Sequence, residues 1–194
     1  PGPEGWTGSR NSWFFDKRIA SFGAMADLGV HKTDLIYYLT GQKIIKTSAV
    51  VAALDKKFPD GTPITVDDNA FCIYTLESGA VGMMHVSWTN YGSEDNSTRL
   101  YCEGGVIRMY DHPEYSLIVE KCNGEVIPYD FGLLTSNKEQ TSGKRTSTGV
   151  IDAFVNSIVT GTPPAISGES AIHAMKVIFA NERSAISGES EDVE

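Results

Sequence analysis

Asp27, His31 and Asp34 stand four and three residues apart, with Tyr38 four further on, around the run Ala24-Met25-Ala26-Asp27-Leu28-Gly29-Val30-His31-Lys32-Thr33-Asp34. On an α-helix advancing roughly 100° per residue, the four side chains fall within about 60° of arc and form one polar stripe. A carboxylate one turn before an imidazole can orient the ring and favour its protonated form, as a general acid–base pair requires. Gly29, inside that turn, would let a ligand or another backbone approach closely. The structural alternative makes Asp27 a helix cap and His31 a satisfied interior polar group. Asp27, His31 and Asp34 could chelate a metal, but no further ligands cluster nearby in the sequence, so no metal site is assigned. His85, His112 and His173 are scattered and read as structural residues.

Such a stripe needs a helix beneath it. The apolar period from Met25 to Leu39 supplies one, with Leu28, Leu35 and Leu39 on one face, Ile36 beside them, and Gly41 as its C-cap. Ahead of it, the first 15 residues (Trp6, Trp13, Phe14 and Phe15 among them) read as an aromatic-rich loop that packs onto something. Strands follow. Ile44–Leu54 is rich in Ile and Val, and Ala70–Leu76 leads through Glu77-Ser78-Gly79 into Val81–Trp88 as a hairpin. Thr98–Glu103 turns at Gly104-Gly105 into Val106–Tyr110, and Asn123-Gly124 joins Leu117–Lys121 to Glu125–Tyr129. Tight turns imply antiparallel neighbours.

The polar run from Phe131 to Gly149 reads as a mobile loop. Two helices close the chain. Val150, Ile151, Phe154, Val155, Ile158 and Val159 mark the first, which stops at Gly161-Thr162-Pro163-Pro164. Ile172, Met175, Ile178 and Phe179 mark the buried stripe of the second, from about Glu169 to Ile186. The fold class is therefore α+β: an open, mainly antiparallel β-sheet with helices packed on one face.

Composition narrows the function classes. The 194 residues carry 16 Lys+Arg against 25 Asp+Glu, a net charge of −9. That balance argues against nucleic acid or an anionic membrane as partner, since both need a basic footprint. Four of the acids, Glu189, Glu191, Asp192 and Glu194, form an acidic tail. No apolar run approaches the length of a membrane span. Three cysteines (Cys72, Cys102 and Cys122), widely spaced, form no disulfide framework or zinc set and fit a cytoplasmic location. There is no GxGxxG after a strand, no P-loop, no GxSxG elbow and no HExxH helix.

Trp13-Phe14-Phe15-Asp16-Lys17 followed by Gly23-Ala24-Met25-Ala26-Asp27-Leu28-Gly29-Val30-His31-Lys32-Thr33-Asp34 resembles the start of the C-terminal domain of the glucose–fructose oxidoreductase / inositol dehydrogenase / rhizopine catabolism (Gfo/Idh/MocA) family. Further segments match in order: Val66-Asp67-Asp68-Asn69-Ala70, Ser78-Gly79-Ala80, Ser87-Trp88, Glu103-Gly104-Gly105, Gly161-Thr162-Pro163-Pro164 and Ser167-Gly168-Glu169. The resemblance implies a domain that follows an N-terminal Rossmann domain and serves oxidation or reduction of a CH–OH group in sugars, inositols and related compounds with NAD or NADP. It gives His31 the role of acid/base at the reacting hydroxyl and Asp27 that of its partner. It puts Trp13, Asp16, Lys17 and Asp34 near substrate.

The family's Glu-Lys-Pro is not found, the one Glu-Lys being Glu120-Lys121 before Cys122. Ser21-Phe22-Gly23 stands where relatives are often glycine-rich. The expectation is that residues 1–194 are a single C-terminal substrate and oligomerisation domain, without its Rossmann domain and therefore inactive and cofactor-free alone. Phe71, Ile73, Val81, Met83, Met84 and Trp88 supply apolar strand surface for a homodimer through the open sheet face. A non-catalytic interaction module on the same fold is the rival reading.

Overall fold

The computed structural model describes residues 2–131, 149–164 and 167–194. In chain order its elements begin with α1 (Pro3–Thr7), a 3₁₀ turn (Trp13–Phe15), α2 (Lys17–Ala20), a π-helical turn (Met25–Gly29) and α3 (Val30–Thr40). Seven strands follow: β1 (Ile44–Ala52), β2 (Asn69–Leu76), β3 (Val81–Ser87), β4 (Thr98–Cys102), β5 (Gly105–Met109), β6 (Leu117–Lys121) and β7 (Val126–Tyr129). The chain closes with α4 (Val150–Thr160), α5 (Gly168–Ser187) and the short β8 (Glu191–Asp192). The strands divide between two antiparallel four-stranded sheets, ordered β3-β2-β1-β8 and β4-β5-β6-β7. Two compact units result, one of residues 1–91 with 150–194 and the other of residues 92–149.

In the first unit, the alternation of β2 and β3 sorts side chains between two faces. Ala70, Cys72, Tyr74, Leu76, Met84 and Val86 point inward and are buried, whereas Phe71, Ile73, Val81 and Met83 point outward and are exposed. Met84 and Trp88 thus leave the apolar face expected for pairing, because even-numbered positions of β3 face the core. The inner face is covered by α5, through Ala174, Val177, Ile178, Asn181 and Ser184.

That is a correction to the expected stripe. Ile178 is buried, but Ile172, Met175 and Phe179 remain 52%, 39% and 46% exposed. Helix α5 instead seats its small and polar residues on β1. Thr47 Oγ1 donates to Asn181 Oδ1 at 2.7 Å, Asn181 Nδ2 donates to the Tyr74 hydroxyl at 2.9 Å, and Ala49 N–H donates to Ser184 Oγ at 3.0 Å. Hydrogen-bonded polar groups can lie under a helix as well as apolar ones.

Helix α3 departs from expectation in the same way. Thr33 is its buried residue, its hydroxyl donating to Val30 O at 2.9 Å, while Leu35 and Leu39 are half-buried. The helix ends where Gly41 takes a left-handed φ of 67° and donates its N–H to Tyr37 O. The apolar side chains of α4 are all exposed, Val150, Ile151, Phe154, Val155, Ile158 and Val159 alike. A second cluster of Phe15, Ala24, Ile64, Val66 and Trp88 anchors the aromatic N-terminal segment, which is partly helical rather than a plain loop.

The second unit is a meander of three hairpins. Gly105 adopts φ +145°, and a Cβ there would meet Glu120 O at 2.0 Å, so the β4–β5 turn needs glycine. Among its described residues Ser116 and Ile118 are buried as a whole, and the Asp111 side chain is 6% exposed. Residues 132–148 of the expected polar loop lie outside the described residues.

Candidate functional site

A helix leaves its first amide groups without internal partners. At the start of the π-turn one residue, Asp67, satisfies three of them. Its Oδ1 accepts from Gly23 N–H at 2.8 Å, its main-chain O from Ala24 N–H at 3.0 Å, and its Oδ2 from Met25 N–H at 2.6 Å. The approach is so close that a Cβ on Gly23 would meet Asp67 O at 1.8 Å. Two residues earlier, Ser21 holds a left-handed φ of 65°, unusual outside glycine.

The chain then winds through Met25–Gly29 as a π-turn, in which each residue turns by less than in an α-helix. Asp27 is half-buried, its Oδ2 accepting the indole N–H of Trp88 at 3.0 Å, while His31, Asp34 and Tyr38 form an exposed face of α3. Gly29 admits neither ligand nor backbone. Its missing Cβ makes room for the Met84 methyl, which would stand 3.1 Å away, and for Ile178.

Trp88, 1% exposed, donates its own N–H to Asp68 O at 2.8 Å. The Asp68 carboxylate accepts the amides of Leu54, Asp55 and Lys56 at 2.7, 2.8 and 2.8 Å, and Asn69 Nδ2 at 2.9 Å. Adjacent carboxylates thus titrate in opposite directions. Burial raises the Asp67 pKa, and the Met25 and Gly23 amides offset this only in part. Burial also pushes Asp68 up, but the Lys56, Leu54 and Asp55 amides outweigh it and hold the group below the usual carboxylate value.

Lys56 is buried, paired with Glu4 and 4.7 Å from the Tyr91 ring centroid. Burial pushes its pKa down, and the bonds to Glu4 and Tyr91 more than restore it.

The other expected site residues each have local contacts of their own. Trp13 is 53% exposed and stacks on Phe14 at 4.0 Å. Asp16 caps α2 through Arg18 N–H and chelates the Arg18 guanidinium at 2.6–3.2 Å, which holds its carboxyl below the usual value. Lys17 is exposed, its Nζ 3.5 Å from Glu182. The remaining histidines have structural roles: His173 Nε2 accepts Ile44 N–H at 3.1 Å, His85 stacks on Phe71 at 4.2 Å, and His112 Nδ1 accepts Glu114 N–H at 3.1 Å.

Trp88 and Asp67 were not expected at the site. Their signal in the sequence is modest: an Asp-Asp pair just before one strand, and a tryptophan just after the next.

Residues 1–108 match the GFO/IDH/MocA C-terminal domain, and the chain belongs to that family. A levoglucosan dehydrogenase from Pseudarthrobacter phenanthrenivorans is 29% identical over 131 residues, 55% of this chain and 33% of that protein. Among solved structures, a levoglucosan dehydrogenase in complex with NADH superposes with a TM-score of 0.76 at 21% identity, over 97% of this chain and 56% of that one. An oxidoreductase domain protein from Kribbella flavida gives 0.74 at 20% identity, over 97% and 57%. The chain thus spans a third of the length of the curated relative and about half that of the solved chains. No helix among the described residues is long and apolar enough to cross a membrane.

Proposed function

We propose that this chain is the substrate-binding and dimerisation domain of an NAD(P)-dependent oxidoreductase acting on a CH–OH group of a sugar, inositol or similar polyol. The observation that carries this is the pairing of a gripped carboxylate with a free-standing imidazole. Asp27 is fixed by the buried Trp88 indole, and one turn later His31 stands exposed at the start of α3. Structural neighbours solved with levoglucosan and with L-sorbose support a sugar-like substrate.

Every strand pairing among the described residues is antiparallel, so they form no βαβ phosphate cradle for a dinucleotide. Residues outside this chain would hold the nicotinamide, which supplies the hydride chemistry when bound. This chain's share is the substrate side. His31 takes or returns the proton of the reacting hydroxyl, and Asp27 orients the substrate or the ring. Trp13 offers an aromatic face to a sugar ring, Lys17 and Asp34 offer charged hydrogen-bonding groups, and Asp16 acts through the Arg18 it holds. The free cysteines Cys72, Cys102 and Cys122 suit a reducing, cytoplasmic setting.

In the full-length protein, His31→Ala should lower kcat by roughly 10²–10⁴, the usual size of general acid–base catalysis. Turnover unchanged in that variant would end the assignment.

Homodimerisation rests on the outer face of the first sheet, where Ile73, Val81 and Met83 are 57%, 70% and 82% exposed. An apolar sheet face of this kind is a liability unless paired. Light scattering should give a dimer, and Met83→Lys should give a monomer of unchanged fold. A monomeric parent protein would sink the pairing.

A further inference from the structure

The structure assigns to Asp67 the role of a positioning residue: it fixes the main chain where the π-turn begins and, through that turn, the Asp27 carboxylate that Trp88 grips from the other side. This rests on the reading of Asp27 and His31 as the chemical pair.

Three observations converge on it. Asp67 satisfies the amides of three successive residues, 23 to 25, which end two positions before Asp27, and Asp27 N–H itself bonds Gly23 O at 3.0 Å. The amides so held lead into a π-turn, a rare geometry that recurs at functional sites. Finally, the second hold on Asp27 leads back to the same stretch of chain, just ahead of β2. The Trp88 indole binds Asp27 Oδ2, and Trp88 N–H binds the main-chain O of Asp68, the residue beside Asp67. Main chain and carboxylate of the Asp27 segment are therefore referred to one dipeptide immediately before β2.

A neutral amide at position 67 cannot reproduce this. Asparagine keeps one acceptor oxygen, and its NH₂ would face a backbone N–H, donor against donor. Burying a carboxylate here is costly, and a cap that only closed a helix could use a neutral group. Ionised Asp67 is what delivers two parallel acceptors to Gly23 and Met25.

The test is a double-mutant cycle in the full-length protein, with the Trp88 indole as a second readout. Asp67→Asn should lower kcat roughly 10–100-fold, the scale of an ångström-sized misplacement, with KM for the nicotinamide cofactor unchanged. In an Asp27→Asn background the same substitution should cost less than about 3-fold, because what it positions is already gone. The indole N–H resonance of Trp88, the buried tryptophan beside the exposed Trp6 and Trp13, should move toward its solvent position in Asp67→Asn.

Equal losses in both backgrounds, no loss in either, or an unmoved indole resonance would each overturn the assignment. Where Asp67→Asn does not fold, Asp67→Ser, which keeps one short acceptor, carries the same cycle. Full turnover in Asp27→Asn alone would defeat the catalytic reading instead, and the indole resonance would then still decide whether Asp67 places Asp27.

Discussion

The two sheets have the same number of strands and the same antiparallel pairing, yet their faces are treated differently. In the first, α5 covers one side, and Tyr74 on β2 with Val177, Ile178 and Asn181 on the helix are fully buried. In the second, Ser116 and Ile118 are the residues buried as a whole among those described, the Asp111 side chain is 6% exposed, and charge links the strands. Arg108 bridges Asp111 at 2.8 Å and Glu120 at 2.7 Å, and Arg99 reaches Asp111 at 2.9 Å. Hydrogen-bonded ladders make both sheets, but a ladder alone buries little apolar surface. Partly exposed ion pairs contribute about 0–1 kcal/mol each, well short of a covered face. The second sheet should therefore open at a lower free energy than the first.

The largest contrast should come from deleting one buried isoleucine in each sheet. Ile178→Ala should cost about 2–5 kcal/mol, and Ile118→Ala about half of that or less, since fewer neighbours surround the cavity. All three tryptophans (Trp6, Trp13 and Trp88) belong to the first unit, so their fluorescence follows its denaturation. Amide hydrogen exchange across β4–β7 follows the other. Equal costs would mean that the second sheet has a core of comparable strength.

A smaller effect separates two glycines. Gly105→Ala forces a Cβ to 2.0 Å from Glu120 O at φ +145°, and should cost about 1–3 kcal/mol with loss of β5–β6 pairing. Gly29→Ala meets the flexible end of Met84 at 3.1 Å and should cost less than about 1 kcal/mol. Urea titration of the two variants ranks them directly, and the reverse order would show that Met84 cannot give way.

The smallest effect is a difference of sign with pH. The hydrogen bond from Arg108 holds Asp111 below the usual carboxylate value against the opposing effect of burial, and Arg99 adds to it. Its contribution is complete above the ordinary Asp value of about 3.9 and is lost as pH falls through the lower folded value. Asp67, raised by burial, behaves in reverse. Its share is complete below about pH 3.9 and is lost as pH rises through the higher folded value. Carboxyl-carbon titration by NMR should show Asp67 protonating first on acidification, and Asp111 protonating first would reverse the comparison.

What the sequence made legible was the punctuation. Gly41 ends α3, and Ser78-Gly79 and Asn123-Gly124 turn their hairpins. These are local effects, carried by residues adjacent in the chain. The interior of α5 was hidden because its contacts are made by Asn181 and Ser184, whose types look solvent-facing until Thr47, Tyr74 and the Ala49 amide are brought to them.

The π-turn was hidden for a similar reason. Nothing in the apolar period distinguishes it from an α-turn, and Asp67, which secures its first amides, lies more than 40 positions away. Asp27 and His31 were legible as a pair by spacing. Their separation into a gripped carboxylate and an exposed ring became apparent only with Trp88 in place.

Asn181 has a mechanical consequence. With its amide oxygen taken by Thr47 and its NH₂ given to Tyr74, it acts as a detent between α5 and the sheet. A purely apolar seam would let the helix creep or settle in neighbouring notches. Here a slip of one turn, about 5.4 Å, would strand an amide in a dry layer at a cost of about 1–3 kcal/mol. The helix therefore has one seat, and because it has one seat the chain leaving it at Gly188 brings Glu191 and Asp192 to the free edge of β1 in a single register.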